Sequence, residues 1–387
     1  MYLRSLSLTN FRNYAEQTLE TGPGVVLLLG KNAQGKTNLL EAVELLATGR
    51  ADRADGDADY IAWNMRDDPQ PFARISATAM RSSDEVTVEL TVVGREGARG
   101  LVASKRFKVN GVARRGSDAA GQITAVLFTT DDMDLVRGSP GQRRRYLDVM
   151  LTQAAHGYGR TLSRYNKVIT QRNALLKSLQ ERRGKKVELD YWDDEMSREG
   201  AAIARERALA LVDLSPLATA MHTRLSGDRE QFDVEYAARF ADGWDAARLA
   251  SAPLEAAEAA LKEKLHANRT RDIAAGVTLS GPHRDDLAMT LGGESAASFA
   301  SRGQQRTAAL ALRLAEAQLL HTRSGERPIL LLDDVLSELD ESRRASVLTA
   351  VESDQVWITS PDPDRFDAGF LKSAMTYEIV AGVATKG

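Results

Sequence analysis

No cysteine occurs among the 387 residues, which excludes disulfides, a thiol nucleophile and Cys-ligated zinc together. Histidine is scarce, five residues in scattered positions, and forms no metal-site pattern. No apolar run approaches the roughly eighteen residues of a membrane span. The opening MYLRSLSLTNFRNY lacks the apolar stretch of a signal peptide. Internal repeats and low-complexity segments are missing too. Neither sign of charge dominates: 51 basic residues face 54 acidic ones, a formal net charge of −3, so any nucleic-acid surface has to be a local patch. A soluble cytoplasmic protein without a membrane partner is expected. What remains, 43% hydrophobic and 27% charged, is ordinary for a globular chain long enough for two or three domains.

The strongest positive signal is GKNAQGKT at 30–37, where Gly30, Gly35, Lys36 and Thr37 fill the P-loop pattern. Glycines let backbone amides converge on phosphate oxygens, Lys36 brings charge to the outer phosphates, and the Thr37 hydroxyl can ligate Mg2+. Asn32 and Asn38 fall in the same phosphate-binding stretch. The apolar run 25–29 before it reads as a buried strand, and Leu39, Leu40, Val43, Leu45 and Leu46 after it supply a helix face. Far downstream, four apolar residues end in Asp333 and Asp334. A strand of an α/β sheet often ends in polar residues. Two adjacent carboxylates opposite a P-loop suggest more: Asp333 to hold Mg2+ and Asp334 to orient or deprotonate an attacking water. The nucleotide site is thus assembled from the two ends of the chain, with a large insertion between them.

Coarse patterning fills in the rest. Residues 2–9 read as a slightly irregular strand, since Leu3 is out of phase with Leu6 and Leu8. Residues 73–79, 86–93 and 101–109 read as an antiparallel meander with Asn110-Gly111 as a tight turn. Residues 50–59 read as a loop, and 126–128 as a short return strand. Apolar residues at helical spacing on either side of the basic turn 182–186, followed through Leu209, predict two long antiparallel helices. A strand at 232–240, helices at 254–265, 302–321 and 341–351, and strands at 329–332 and 355–358 complete the chain.

SRGQQ at 301–305 resembles the signature motif of ABC-type ATPases, and SELD at 337–340 resembles their D-loop. With LTNFRNY at 8–14, GKNAQGKTNLLEA at 30–42, RGSPGQRRRYLD at 137–148, GPHRDD at 281–286, SRGQQR at 301–306 and LLLDDVLSELDESRR at 330–344, the chain resembles the RecF family over most of its length and in family order. The resemblance implies an α/β fold: an ABC-type ATPase head with mixed sheets around the P-loop, at 1–125 and 277–387, and an inserted, largely α-helical arm at 126–276. It implies ATP and Mg2+ as cofactors, Arg12 near the nucleotide, and an ATP-dependent homodimer. In that dimer Ser301, Gly303 and Gln304 of one subunit cap the γ-phosphate on the other, with Ser337 and Asp340 at the seam. Ser301 and Asp340 also read simply as helix caps, and Arg12 as a solvated turn residue. The chain departs from the family at Thr130 and Asp131, where proline and glutamate are usual, and in the 50–59 segment. Thr359 stands where transporter ATPases carry a histidine switch, and no residue is assigned to the Q-loop.

Arg143, Arg144 and Arg145, and at the tip of the arm Arg182, Arg183, Lys185 and Lys186, are candidate phosphate contacts or solvated helix arginines. The resemblance implies binding to double-stranded and gapped DNA, RecR as partner with RecO and RecA in the pathway, and a weak DNA-stimulated ATPase acting as a switch in recombinational repair and replication. A scaffold that uses ATP only as glue is the alternative. A transporter subunit is disfavoured by the long insertion before the signature motif, and a nuclease partner by the shortness of the arm.

Overall fold

The computed structural model describes residues 1–387 apart from 52, 53, 55, 98, 99, 228, 229 and 336–352. It is a mixed α/β fold with a helical arm, divided into two compact units: 1–132 with 313–387, and 133–312. The changeovers expected from the sequence were 125/126 and 276/277.

In the first unit the opening alternation forms β1 (Tyr2–Phe11), followed by β2 (Tyr14–Glu20) and β3 (Gly24–Leu29). Leu3, Leu6 and Leu8 are all buried. The register of β1 shifts between Leu3 and Ser5, and such a bulge returns an out-of-phase side chain to the inner face. The meander follows as β4 (Phe72–Met80), β5 (Glu85–Gly97), β6 (Gly100–Val109) and β7 (Val112–Arg114). The β6–β7 turn uses Asn110 and Gly111, both at positive φ. Among the described residues the strands pair in the order β2-β1-β4-β5-β6-β7.

A second sheet has the order β15-β14-β3-β13-β12-β8. Its other members are β8 (Ala125–Thr129), β12 (Ile329–Asp333), β13 (Gln355–Ser360), β14 (Met375–Val380) and β15 (Val383–Lys386). The run from β8 to β14 is parallel, and β12 is buried at every position, as a continuous apolar strand requires. Helix α1 (Lys36–Thr48) shares one core with both sheets: Leu39, Val43 and Leu46 cluster with Leu6, Ile75 and Val88, and with Val26, Leu331 and Trp357. Each such side chain contributes roughly 1.5–3 kcal/mol by leaving water, which fixes the helix and the loop at its N-terminus.

The second unit contains α2 (Pro140–Ala154), α3 (Tyr158–Gln180), α4 (Leu189–Ser226), α5 (Leu254–Ala275), the start of α6 (Arg302–Ser324), and a small sheet, β11-β10-β9. That sheet comprises β9 (Phe232–Ala237), β10 (Asp286–Leu291) and β11 (Glu294–Ser295). Antiparallel α3 and α4 are the expected arm. The second helix runs well past Leu209 to Ser226 with Pro216 inside it; Pro216 is exposed, and the Val212 carbonyl, which loses its intrahelical partner there, belongs to a residue 58% exposed. The helix expected at 341–351 lies outside the described residues.

Candidate functional site

The P-loop leaves β3 and enters α1, the context its motif needs. Gly30 has φ 152, and a Cβ there would collide with the Ile379 carbonyl oxygen of β14. Gly35 has φ 116, and a Cβ there would lie 2.6 Å from Asn13 Nδ2. Both positions therefore demand glycine. Around them the loop is held from two sides. Asn13 Nδ2 donates to Gln34 O (2.8 Å) and the Tyr14 hydroxyl to Gly35 O (3.0 Å). On the other side the turn between β14 and β15 supplies Ala381 N to Gln34 Oε1 (2.7 Å) and Gly382 N to Gln34 O (3.0 Å). Asn38 joins through Asn13 Oδ1 at 2.8 Å.

The loop faces a cavity of about 380 Å³ lined by Asn32, Ala33, Gly35, Lys36, Thr37, Asn38, Thr130, Asp333, Asp334 and Thr359. Lys36 Nζ donates to Gly30 O (2.5 Å) and Lys31 O (2.9 Å). Burial pulls the Lys36 ammonium below its ordinary value, against the opposing pull of Asp334 and Asp333. Across the cavity, Thr37 Oγ1 donates to Asp333 Oδ1 at 2.9 Å. Thr359, at the position where transporter ATPases carry a histidine switch, sits opposite Asp333 in the β12–β13 register. Its hydroxyl donates to Asp333 Oδ1 (3.0 Å) and accepts from Asp334 N (2.9 Å).

These donors suit Mg2+. Thr37 Oγ1 and Asp333 Oδ1 are hard oxygens within hydrogen-bond distance at the mouth of a phosphate loop, and Mg2+ in such sites takes only one or two protein oxygens, the rest coming from phosphates and water.

Arg12, at φ 54 in the β1–β2 turn, donates Nε and Nη2 to the two carboxylate oxygens of Glu41 on α1 (2.8 and 2.5 Å) and Nη1 to Asp59 O (3.0 Å). It lies over the Tyr60 ring at 5.4 Å. Arg12 is thus a fixed, partly buried brace of the P-loop helix rather than a solvated arginine.

In the second unit the signature turn opens α6. Ser301 N donates to Gln304 Oε1 (2.6 Å), Gln304 N donates to Ser301 Oγ (3.3 Å), and Gln304 Nε2 donates to Glu230 Oε1 (2.6 Å). This is a capping box, so the capping role of Ser301 is real within the chain. Ser301, Arg302 and Gly303 are exposed at the N-terminus of a 23-residue helix. Ser337 and Asp340 lie outside the described residues.

The basic candidates separate. Arg143 is 9% exposed and doubly bonded to Asp286 (2.7 and 2.9 Å), and Arg144 donates to Asp285 O at 2.7 Å. GPHRDD thus supplies acceptors that tie both arginines within the chain, where the whole Arg143 guanidinium is engaged and the half-buried Arg144 is held through one bond. Arg145, Arg182, Arg183, Lys185 and Lys186 are exposed. GPHRDD itself is a structural hub that residue chemistry alone did not reveal: Tyr236 donates to Asp285 Oδ2, Arg207 to Pro282 O at 2.7 Å, and Tyr165 meets His283 Nδ1 at 2.8 Å.

No helix among the described residues is long and apolar enough to cross a membrane. A family model described as the RecF/RecN/SMC N terminal domain matches residues 2–369. The DNA replication and repair protein RecF of Herpetosiphon aurantiacus is 41% identical over 394 residues, 99% of each chain. That of Chloroflexus aggregans is 41% identical over 399 residues, again 99% of each. A solved structure of the recombination mediator protein RecF-ATP in the RecFOR pathway aligns with a TM-score of 0.87 at 30% identity, covering 100% of this chain and 97% of that one. A P-loop closed by a paired-carboxylate strand, a signature turn heading a long helix and this likeness along the whole length agree: the chain belongs to the RecF family, within the RecF/RecN/SMC group.

Proposed function

We propose that the protein is an ATP-gated DNA-binding switch of recombinational repair, whose dimer closes on ATP and opens on slow hydrolysis. The observation that carries the hydrolytic part is the cavity in which Lys36, Thr37, Asp333 and Asp334 face one another. Lys36 trades its two carbonyl acceptors for the outer phosphates when nucleotide enters. Thr37 and Asp333 would hold Mg2+, which would supply charge neutralisation to the phosphates. Asp334 orients the attacking water and accepts its proton. Ser301 and Gly303, exposed at a helix N-terminus, cap the γ-phosphate of a second copy, where the hydroxyl, the backbone amides and the helix dipole all favour an anion.

Duplex and gapped DNA are the proposed partners, with RecR bound directly and RecO and RecA acting in the same pathway. The phosphate contacts come from Arg145 and from the exposed arm-tip cations Arg182, Arg183, Lys185 and Lys186. Recognition is of charge and shape, since backbone contacts carry no sequence information. A duplex titration at rising salt with ATP tests this. Affinity should fall steeply with salt, and Lys185→Glu with Lys186→Glu should flatten the slope by roughly one to two ion equivalents. An unchanged slope moves the contact away from the arm tip. Retained DNA binding in Asp334→Asn with hydrolysis abolished would favour ATP as glue alone.

A further inference from the structure

We propose that Thr359 is a positioning residue for hydrolysis, one hydroxyl that aims both acids of the 333–334 pair. The proposal rests on the hydrolytic reading above and adds to it the group that fixes the geometry. Thr359 is 2% exposed at the end of β13, directly opposite Asp333 in a parallel register. Its Oγ1 accepts from the Asp334 amide at 2.9 Å and lies 3.0 Å from Asp333 Oδ1. A hydroxyl has one proton. With a lone pair engaged by the amide, that proton has the Asp333 carboxylate at 3.0 Å as its nearer acceptor, ahead of the Leu332 carbonyl at 3.5 Å.

The consequence differs for the two acids. Asp333 Oδ1 receives two hydroxyls, from Thr37 and Thr359. Thr37 belongs to the P-loop and is drawn toward Mg2+ when nucleotide binds, whereas Thr359 belongs to the sheet and stays. Asp333 therefore keeps one fixed donor through the cycle. At Asp334 the chain leaves the strand with φ 56. Left-handed backbone at a non-glycine residue costs on the order of 1–2 kcal/mol and persists only where the surroundings hold it. The Thr359 bond to its amide is such a hold. It acts on the residue whose carboxylate lines the cavity beside Lys36 and Thr37. Loss of the hydroxyl frees that turn, and a carboxylate displaced by about 1 Å is enough to cost on the order of 100-fold in rate.

The test compares Thr359→Val, which keeps the shape and removes the hydroxyl, with Thr359→Ser, which keeps the hydroxyl. Nucleotide loading, turnover and amide exchange at Asp334 are measured on the full chain. The expected result is a 10- to 100-fold loss of kcat in Thr359→Val, with ATP affinity changed less than about threefold. Exchange at the Asp334 amide should be at least tenfold faster, and Thr359→Ser should keep most of the activity and the protection. Equal losses in both variants would assign the effect to the methyl group and overturn the proposal. Unchanged turnover in Thr359→Val, or an unchanged Asp334 amide, would overturn it as well. If the parent protein binds ATP but does not turn it over, the hydrolytic reading falls. The exchange result then still decides whether the hydroxyl holds the turn.

Discussion

Arg172 is completely buried in the arm, with Nε on Asp193 (2.7 Å) and Nη1 on Asp272 and Thr278 (both 2.8 Å). Removing the cation leaves buried Asp272 without its ion-pair partner and Asp193 with Arg269 alone, so Arg172→Met should destabilise the protein by about 3–5 kcal/mol. Chemical denaturation checks this, and a loss under 1 kcal/mol would mean that the pair is solvated. His283 gives a pH signature. Burial holds its imidazole down at about 4, and the neutral ring accepts from Tyr165 at Nδ1 and donates from Nε2 to Thr278 O at 3.1 Å. The unfolded chain binds this proton below about pH 6.5 while the folded chain refuses it until about pH 4. Stability should therefore fall as pH drops through that window, by on the order of 1–3 kcal/mol. His283→Gln should flatten the fall, as denaturation midpoints at pH 7 and pH 5 would show. At this scale the chemistry of Lys36, Thr37 and Asp333 was legible because motif and flanking pattern coincide. The bonds of Thr359 to the acids, and the role of Gln34, were not, since one hydroxyl on a strand and one amide in a loop become meaningful only when distant segments meet. The pairing of Arg143 was hidden for the same reason: its partner Asp286 lies 143 residues away.

Elements were read best where the hydrophobic period was long, as in α3, α4 and the meander. Pro216 lies inside α4, where an exposed proline only weakens a helix packed along its other face. Pro216→Ala should restore one helical bond and stabilise the protein by about 1 kcal/mol or more, seen as a raised denaturation midpoint; destabilisation would mean that the proline itself is needed for packing. The β14–β15 hairpin went unread because its turn is Ala381-Gly382, and alanine at φ 48 is a poor signal for the turn it makes. Yet this hairpin braces the P-loop through Gln34. Gly382 has φ 77, and a side chain there would strike Asn13 O. Gly382→Ala is therefore expected to weaken ATP loading about tenfold, the penalty of roughly 1–2 kcal/mol for left-handed alanine falling on the loop's support. Wild-type loading in that variant would show that the hairpin is only a neighbour.

At the scale of the whole molecule, the chain carries a phosphate loop with its acids in one unit and a solvent-exposed signature turn in the other. The central claim is that a triphosphate is closed over only when a second copy brings that turn to it. Sedimentation with and without ATP, on the parent chain, Lys36→Met, Ser301→Arg and an equimolar mixture of the two variants, tests it most directly. The parent should dimerise with ATP. Lys36→Met should neither load ATP nor dimerise, and Ser301→Arg should load ATP yet sediment as a monomer. The mixture should recover partial association, through the one composite site that retains both Lys36 and Ser301. Dimerisation of Ser301→Arg equal to that of the parent would contradict the account.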